Sequence, residues 1–304
     1  MTRRSEAPAA PDPELPAPEL LARFRRTVLE RGAELYRDLP WRRTRDPYQV
    51  WVSEAMLQQT QTTRVDGRWQ RWLQRFPTVM DLAAAEPADV LDEWQGLGYN
   101  RRALALHRAA KALAEGGGTV PSDARELQAL PGVGPATAAG IRAFAFDLHA
   151  VYLETNVRAV LIHELFPDRD DVADRELVGI VDATCPADAS DPSDDPRTWY
   201  YALLDYGAHL KRTVPNPSRR SRSHVRQSRF EGSHRQKRAA ALRVLLAHRT
   251  QGAAGVDLGT VHEELDAMER EAGRTPLGAD EVCALLDELA SEGFCRREGG
   301  LWRA

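Results

Sequence analysis

Apolar residues return at helical spacing along nearly the whole chain. Residues 19–37 (ELLARFRRTVLERGAELYR) place them at positions three and four apart, which predicts an amphipathic helix that Pro40 ends. Pro47 opens a second helix, predicted to run through about residue 64. The pattern predicts further helices over 66–75, 79–85, 87–94, 101–115, 123–129, 135–147, 155–165, 173–184 and 196–210. No convincing strand alternation occurs before residue 290, and short loops with Gly or Pro separate the helices. The expectation is a mainly α core rather than a βαβ fold.

The pattern changes after residue 210. Residues 211–234 (KRTVPNPSRRSRSHVRQSRFEGSH) are rich in Ser, Arg and Pro and read as a basic linker. Three helical stretches then follow, RQKRAAALRVLLAH, DLGTVHEELDAMEREA and GADEVCALLDELASEG. The closing FCRREGGLWRA reads as a hairpin that turns at Gly299–Gly300. Three helices followed by a two-stranded wing predict a winged-helix-like domain over 235–304, a fold that serves DNA binding or protein contact. Residues 1–18, rich in Pro and Ala, are expected to be a disordered tail.

Composition narrows the class. The 304 residues are 42% hydrophobic and 28% charged, as in an ordinary soluble globular protein. No apolar run approaches the roughly 20 residues that span a bilayer, and the N-terminus has no apolar signal region, so we expect a cytoplasmic, nucleoid-associated protein without a membrane partner. The net charge of −4 does not advertise nucleic-acid binding. Its distribution does: Lys211–Arg238 holds ten Lys/Arg against the single acid Glu231, whereas Asp182–Asp195 holds five Asp and no base. Cys185, Cys283 and Cys295 show no metal-ligand spacing and predict reduced or buried thiols.

The strongest local signal is LPGVGPATAAGIRAFAF, Leu130–Phe146. A helix meets a Gly-rich turn and a new helix starts at Pro135. Gly132 and Gly134 can adopt backbone angles closed to other residues. The amides of such a turn and of the following helix N-terminus form an anion site that suits a DNA phosphate. A plain corner between two helices would look the same.

Four ordered motifs resolve that ambiguity: LPWRRTRDPYQVWVSEAMLQQTQ (39–61), WQGLGYNRRALALHRAA (94–110), LPGVGPATAAG and LETNVRAV (153–160). Together they resemble the helix-hairpin-helix glycosylases of the endonuclease III superfamily over roughly residues 35–215. The SEAMLQQTQ segment favours the MutY family of adenine glycosylases. The FEGSHRQKR segment and the helices after it resemble the tail of a branch without the larger Nudix-like domain. The resemblance implies a two-lobed HhH-GPD glycosylase domain over 19–210. One lobe is a six-helix barrel at about 46–150, and the other is built from 19–45 and 151–210.

The resemblance also assigns residues. Glu54 matches the acid that protonates a ring nitrogen of the departing adenine. A carboxyl beside Met56 and Leu57, at the edge of an apolar face, would have the raised pKa such an acid needs. Gln58, one turn on, matches a residue that fills the gap left by a flipped-out base, with Gln59 and Gln61 as weaker candidates. Tyr99 and Asn100 stand in the LGYN turn, and Asn100 occupies a position where the family usually has an aromatic wedge. Gly132, Val133, Gly134, Ala136 and Thr137 belong to the hairpin's DNA contact. Ala136 replaces the lysine of endonuclease III, so no Schiff base is expected and the enzyme should be monofunctional.

Glu154 stands where the family has an Asp that stabilises the oxocarbenium-like sugar or bonds to it. It keeps the carboxylate and adds a methylene, while Asp147 and Val151 replace the usual Gly and Pro of the preceding loop. Asn156 matches a helix-capping or sugar-site residue, and Arg158 reads as a phosphate contact or a surface charge. The family's four iron–sulfur cysteines would fall near Lys211, Ser218, Ser221 and Gln227, none of which is a thiolate ligand, so no [4Fe-4S] cluster and no other cofactor is expected. Arg219, Arg220, Arg222 and Arg226 could still hold phosphate, or lie in a solvated linker.

The expected function is excision of adenine opposite guanine or 8-oxoguanine from double-stranded DNA by a monomeric enzyme. A mismatch thymine or uracil glycosylase and a catalytically weak DNA-binding homologue are the alternatives.

Overall fold

The structure is a computed structural model and describes residues 13–187, 191, 194–225 and 229–304. The described residues form fifteen α-helices. The first seven are α1 (Pro18–Glu34), α2 (Pro47–Leu57), α3 (Thr62–Val65), α4 (Arg68–Arg75), α5 (Val79–Ala84), α6 (Pro87–Trp94) and α7 (Arg101–Glu115). Next come α8 (Ala124–Ala129), α9 (Pro135–Phe146), α10 (Thr155–Leu165), α11 (Asp174–Thr184) and α12 (Pro196–Thr213). The last are α13 (His234–Thr250), α14 (Leu258–Glu271) and α15 (Ala279–Ser291). Strands β1 (Arg296–Glu298) and β2 (Leu301–Arg303) close the chain as an antiparallel pair, with Arg297 opposite Trp302. Gly299 and Gly300 both take positive φ, as a two-residue hairpin turn of the primed type requires. No helix among the described residues is long and apolar enough to cross a membrane. Residues 1–12 of the expected tail lie outside the described residues.

Two expectations fail locally, each for a visible reason. The helix predicted over 47–64 is broken between Leu57 and Thr62, with Gln59 at φ 55°. The Arg102 guanidinium donates to the carbonyls of Ala55, Met56 and Gln58, the acceptors a continuing helix would use. The linker expected over 211–234 is structured in its first half. There α12 continues to Thr213 and Pro217–Arg220 forms a 3-10 turn. Val172 donates to the Arg220 carbonyl and accepts from the Arg222 amide, both at 2.9 Å, which ties this stretch to the loop before α11.

The chain divides into two compact units. The first holds residues up to 54, 121–129 and 133–225. Its core joins Phe24 and Val28 of α1 to Val157, Val160 and Ile162 of α10 and Trp199, Tyr200 and Leu203 of α12. Gly32 allows α1 to close on Ala202, whose Cβ would lie 2.2 Å from a β-carbon there. Asp205, fully buried, accepts from both Arg42 terminal nitrogens at 2.7 and 2.8 Å, and Arg37 Nε also donates to it, so this buried charge is matched.

The second unit holds residues 55–120, 130–132 and 226–304. Trp72 and Trp94 meet edge to face at 5.5 Å in its helical part. Val256 pairs with Trp302 across the base of the hairpin, where Trp302 is buried. The units differ from the expected lobes. The α9 helix sides with α12, where Phe144 stacks flat on Tyr201 at 4.8 Å. The C-terminal helices side with 55–120 through the Arg101–Glu292 and Arg249–Asp89 ion pairs.

Candidate active site

Glu54 and Glu154 both belong to the first unit. Glu54 sits in the last turns of α2, between buried Ser53 and Ala55. Its carboxyl presses on α9 at Gly140, where a β-carbon would fall 2.3 Å from Oε2. The buried hydroxyl of Tyr152 donates to the same oxygen at 3.1 Å. Tyr152 is itself held: its amide donates to the Tyr200 hydroxyl at 3.1 Å, and its ring meets Phe144 and Tyr200 edge to face. Burial pushes the Glu54 carboxyl up to about 8; the Tyr152 hydrogen bond opposes this and the Glu154 charge adds to it. Near neutral pH, Glu54 therefore carries a proton it can donate.

Glu154 is treated differently. It precedes α10 with extended backbone, and its Oε1 accepts from the amides of Asn156 at 2.6 Å and Val157 at 3.0 Å. The longer side chain folds back to do an N-cap's work, which Asp usually does. Burial raises its pKa, while the two amides and the Lys211 charge lower it. The partial positive charge of a helix N-terminus favours the anion there. Burial thus raises both carboxyls, but only at Glu154 do helix amides and an ammonium oppose the rise. Asn156, expected as a cap, is instead the donor to one: its amide feeds Glu154, and its Oδ1 accepts from Lys211 Nζ at 3.0 Å.

Of the two hairpin glycines, only Gly132 takes a backbone angle closed to other residues. Gly132 takes φ 77°, and Gly134 caps α9 in extended conformation, with Pro135 in the first turn. No side-chain hydrogen bond caps the N-terminus of α9. Val133 and Thr137 are buried, and Ala136 is exposed. Asp147, in the place of a glycine, adopts the left-handed conformation at φ 51° and pairs with Arg45.

Four of the expected DNA contacts lie in the second unit. Gln58, Gln59, Tyr99 and Asn100 line one cleft of about 730 Å³, together with Phe230, Arg235 and Arg243. Gln59 and Tyr99 both hold positive φ, a cost of order 1–3 kcal/mol each that marks functional loops. Arg102 sets both loops. Besides the α2 carbonyls it donates to Gly98 O at 2.9 Å, and burial lowers its pKa to about 10. Most of the expected phosphate arginines are engaged elsewhere. Arg158 forms a two-point pair with Asp174, Arg222 pairs with Asp171, and Arg220 donates to the carbonyls of Ile162, Phe166, Pro167 and Arg169 at the end of α10. The exposed Arg219 guanidinium has no partner among the described residues. Arg226 lies outside them.

The profile of the HhH-GPD superfamily, base excision DNA repair proteins, matches residues 52–260. The chain belongs to this superfamily. It is 41% identical over 174 residues to the adenine DNA glycosylase of Mycolicibacterium smegmatis, covering 57% of this chain and 58% of that protein. It is 43% identical over 148 residues to the human adenine DNA glycosylase, covering 45% of this chain and 27% of that protein. The chain thus matches little more than half, or less, of the length of these curated relatives. A thermostable thymine-DNA glycosylase shares the fold, with a TM-score of 0.54 and 24% identity over 62% of this chain and 87% of that one. An endonuclease III bound non-covalently to DNA does so with a TM-score of 0.51 and 18% identity, covering 66% of this chain and 87% of that one.

Within this HhH-GPD chain the residues at the expected cluster positions do not fit an iron–sulfur cluster. Lys211 turns to Asn156, the Ser218 hydroxyl donates to Asn216 Oδ1 at 2.8 Å, and Ser221 pairs with Val172. Gln227 lies outside the described residues. The irons of such a cluster need thiolate ligands, and none of these side chains is one.

Four site residues escaped the sequence reading: Gly140, Tyr152, Lys211 and Arg102. Only Gly140 left a signal. A glycine inside a helix costs about 1 kcal/mol against alanine, so a lone one among alanines points to close approach. Nothing in the sequence tied the other three to the site.

Proposed function

We propose that this protein is a monofunctional adenine DNA glycosylase of base excision repair that hydrolyses the N-glycosidic bond of adenine opposite guanine or 8-oxoguanine in double-stranded DNA. The observation that carries the reading is the asymmetry of the two carboxyls, with Glu54 protonated to about pH 8 and Glu154 on two helix amides. Glu54 gives its proton to a ring nitrogen of adenine, which leaves as the neutral base with the bonding electrons. Glu154, still anionic, stabilises the oxocarbenium-like sugar, and water completes the hydrolysis, the division of labour of paired carboxyls in glycosidases. Ala136 offers no amine for a Schiff base, which supports hydrolysis without a strong lyase step.

The reading extends to partners. The enzyme acts as a cytoplasmic, nucleoid-associated monomer without a cofactor. Its hairpin amides and Arg219 take phosphate, and the C-terminal helices and hairpin serve as a winged-helix-like module. The similarity to adenine DNA glycosylases supports adenine over a pyrimidine target. Base release from defined duplexes tests this: adenine should appear from A:8-oxoguanine and A:G, and no pyrimidine from T:G or U:G. Thymine or uracil release without adenine would replace this reading with the pyrimidine one.

A further inference from the structure

We propose that Lys211 is a positioning residue of the active site, whose ammonium pins Asn156 and supplies the positive charge that keeps Glu154 ionised beside Glu54. The inference rests on the glycosylase reading above. It starts from the packing of α12 on the start of α10. Gly207 and Lys211 are four residues apart and share a face of α12. A β-carbon on Gly207 would fall 2.3 Å from the Asn156 carbonyl oxygen, so the two helices touch there. One turn on, Lys211 Nζ donates to Asn156 Oδ1 at 3.0 Å, and the Asn156 amide donates to Glu154 Oε1 at 2.6 Å. Lys211 thus holds the side chain of the residue whose backbone amide holds the Glu154 carboxylate.

The electrostatics explain why a cation is needed. Glu154 faces Glu54 from α2 and the Tyr152 hydroxyl from its own loop, while Lys211 approaches from α12. Two half-buried carboxyls in one field compete for a single charge. The mechanism requires the charge on Glu154 and the proton on Glu54. Two helix amides favour that outcome, and the Lys211 ammonium adds to them.

The residue type points the same way. Arginine is this chain's ordinary cation: of 41 Lys and Arg, only Lys111, Lys211 and Lys237 are lysine. A compact ammonium can donate to one side-chain oxygen in a tight helix contact, where a planar guanidinium would need more room and more acceptors. Lys211 also occupies the expected place of the first missing cluster cysteine. The position that would carry a cluster ligand instead carries a charge for a lengthened catalytic carboxylate.

The test is the pH dependence of adenine release from an A:8-oxoguanine duplex, at enzyme concentrations below saturation, for wild type, K211M, K211Q and K211R. Wild type should show a rate that rises with pH as Glu154 ionises. In K211M and K211Q that rising limb should move to higher pH by roughly one unit, whereas K211R, which keeps the charge in a poorer fit, should hold the limb near the wild-type position at a lower overall rate. K211Q keeps a donor for Asn156 without the charge, so it separates electrostatics from the hydrogen bond and stands in if K211M fails to fold. A role in packing alone would lower the rate equally at every pH, along with the melting temperature. An unmoved limb in folded K211Q overturns the proposal. A borohydride-trapped DNA adduct that vanishes in K211Q would overturn it too, by making the amine a nucleophile. If wild type releases no adenine at any pH, it is the glycosylase reading that falls.

Discussion

The carboxyl of Glu54 occupies the space that a β-carbon on residue 140 would need, with Oε2 2.3 Å from that position. The proposed general acid is therefore seated by a glycine on a different helix. Backbone bounds this contact, since Gly140 is buried within α9. Gly140→Ala must displace the carboxyl, because the rest of α9 is anchored through Phe144 and Tyr201. A misplacement near 1 Å costs about 100-fold in rate. Single-turnover adenine release should fall by that order while helical circular dichroism is kept. Wild-type rates in Gly140→Ala would mean that Glu54 reacts from another rotamer.

Glu54→Gln should abolish excision and leave mispair binding. It should also stabilise the free protein at alkaline pH. A buried carboxyl with a raised pKa binds more protons when folded than unfolded, so its contribution to stability falls as pH rises from its ordinary value near 4.5 through about 8. The gain of Glu54→Gln over wild type should therefore be small near pH 5 and grow by about 4 kcal/mol towards pH 9. Denaturant unfolding at both values checks this, and a gain that shrinks with pH would reverse the assignment.

Glu154→Gln keeps an oxygen for the α10 amides but loses the charge. Excision should fall by about 10³-fold, a typical loss for a group acting on the transition state, with a change in melting temperature of only a few degrees. Glu154→Asp should restore much of the activity, since Asp is a good N-cap and keeps the anion. A fully active Glu154→Gln would remove this carboxyl from the chemistry.

Much of this architecture was readable in the sequence, because helix periodicity and the PGVGP turn are local properties. The breaks came where a distant side chain overrode the local pattern. Arg102 lies more than 40 residues from the α2 carbonyls it takes, so the interruption at Gln59 left no trace near that residue. The Ser/Arg/Pro stretch after Thr213 read as a linker because its organiser is Arg220 bonding back to the end of α10. The two acids were found by matching motifs. The raised pKa of Glu54 was expected from its apolar neighbours and comes from burial, whereas the opposing contributions of Tyr152 at Glu54 and of Lys211 and the helix amides at Glu154 were not legible, because the fold brings those groups in.

The arginines of this stretch should separate by role. Arg220→Ala removes the donor to four carbonyls and should cost about 2 kcal/mol of stability. Arg219→Ala should leave stability alone, weaken binding to matched and mispaired duplexes alike, and reduce the salt slope by about 1. Melting curves with salt-dependent binding check both, and an Arg219→Ala variant with unchanged affinity would exclude it from the phosphate contact.

If the protein works without a cluster, protein purified under anaerobic conditions should lack absorbance near about 410 nm, and chelators should change neither melting nor excision. Stoichiometric iron would require ligands other than the residues at 211, 218, 221 and 227.

The division of proton and charge between Glu54 and Glu154 is tested most directly by the second-order rate of adenine release as a function of pH, which reports the free enzyme's groups. The rate should fall on the alkaline side with a midpoint near pH 8, as Glu54 loses its proton. A rate that stays level or climbs through about pH 9 would contradict Glu54 as the proton donor, and with it the whole assignment of roles.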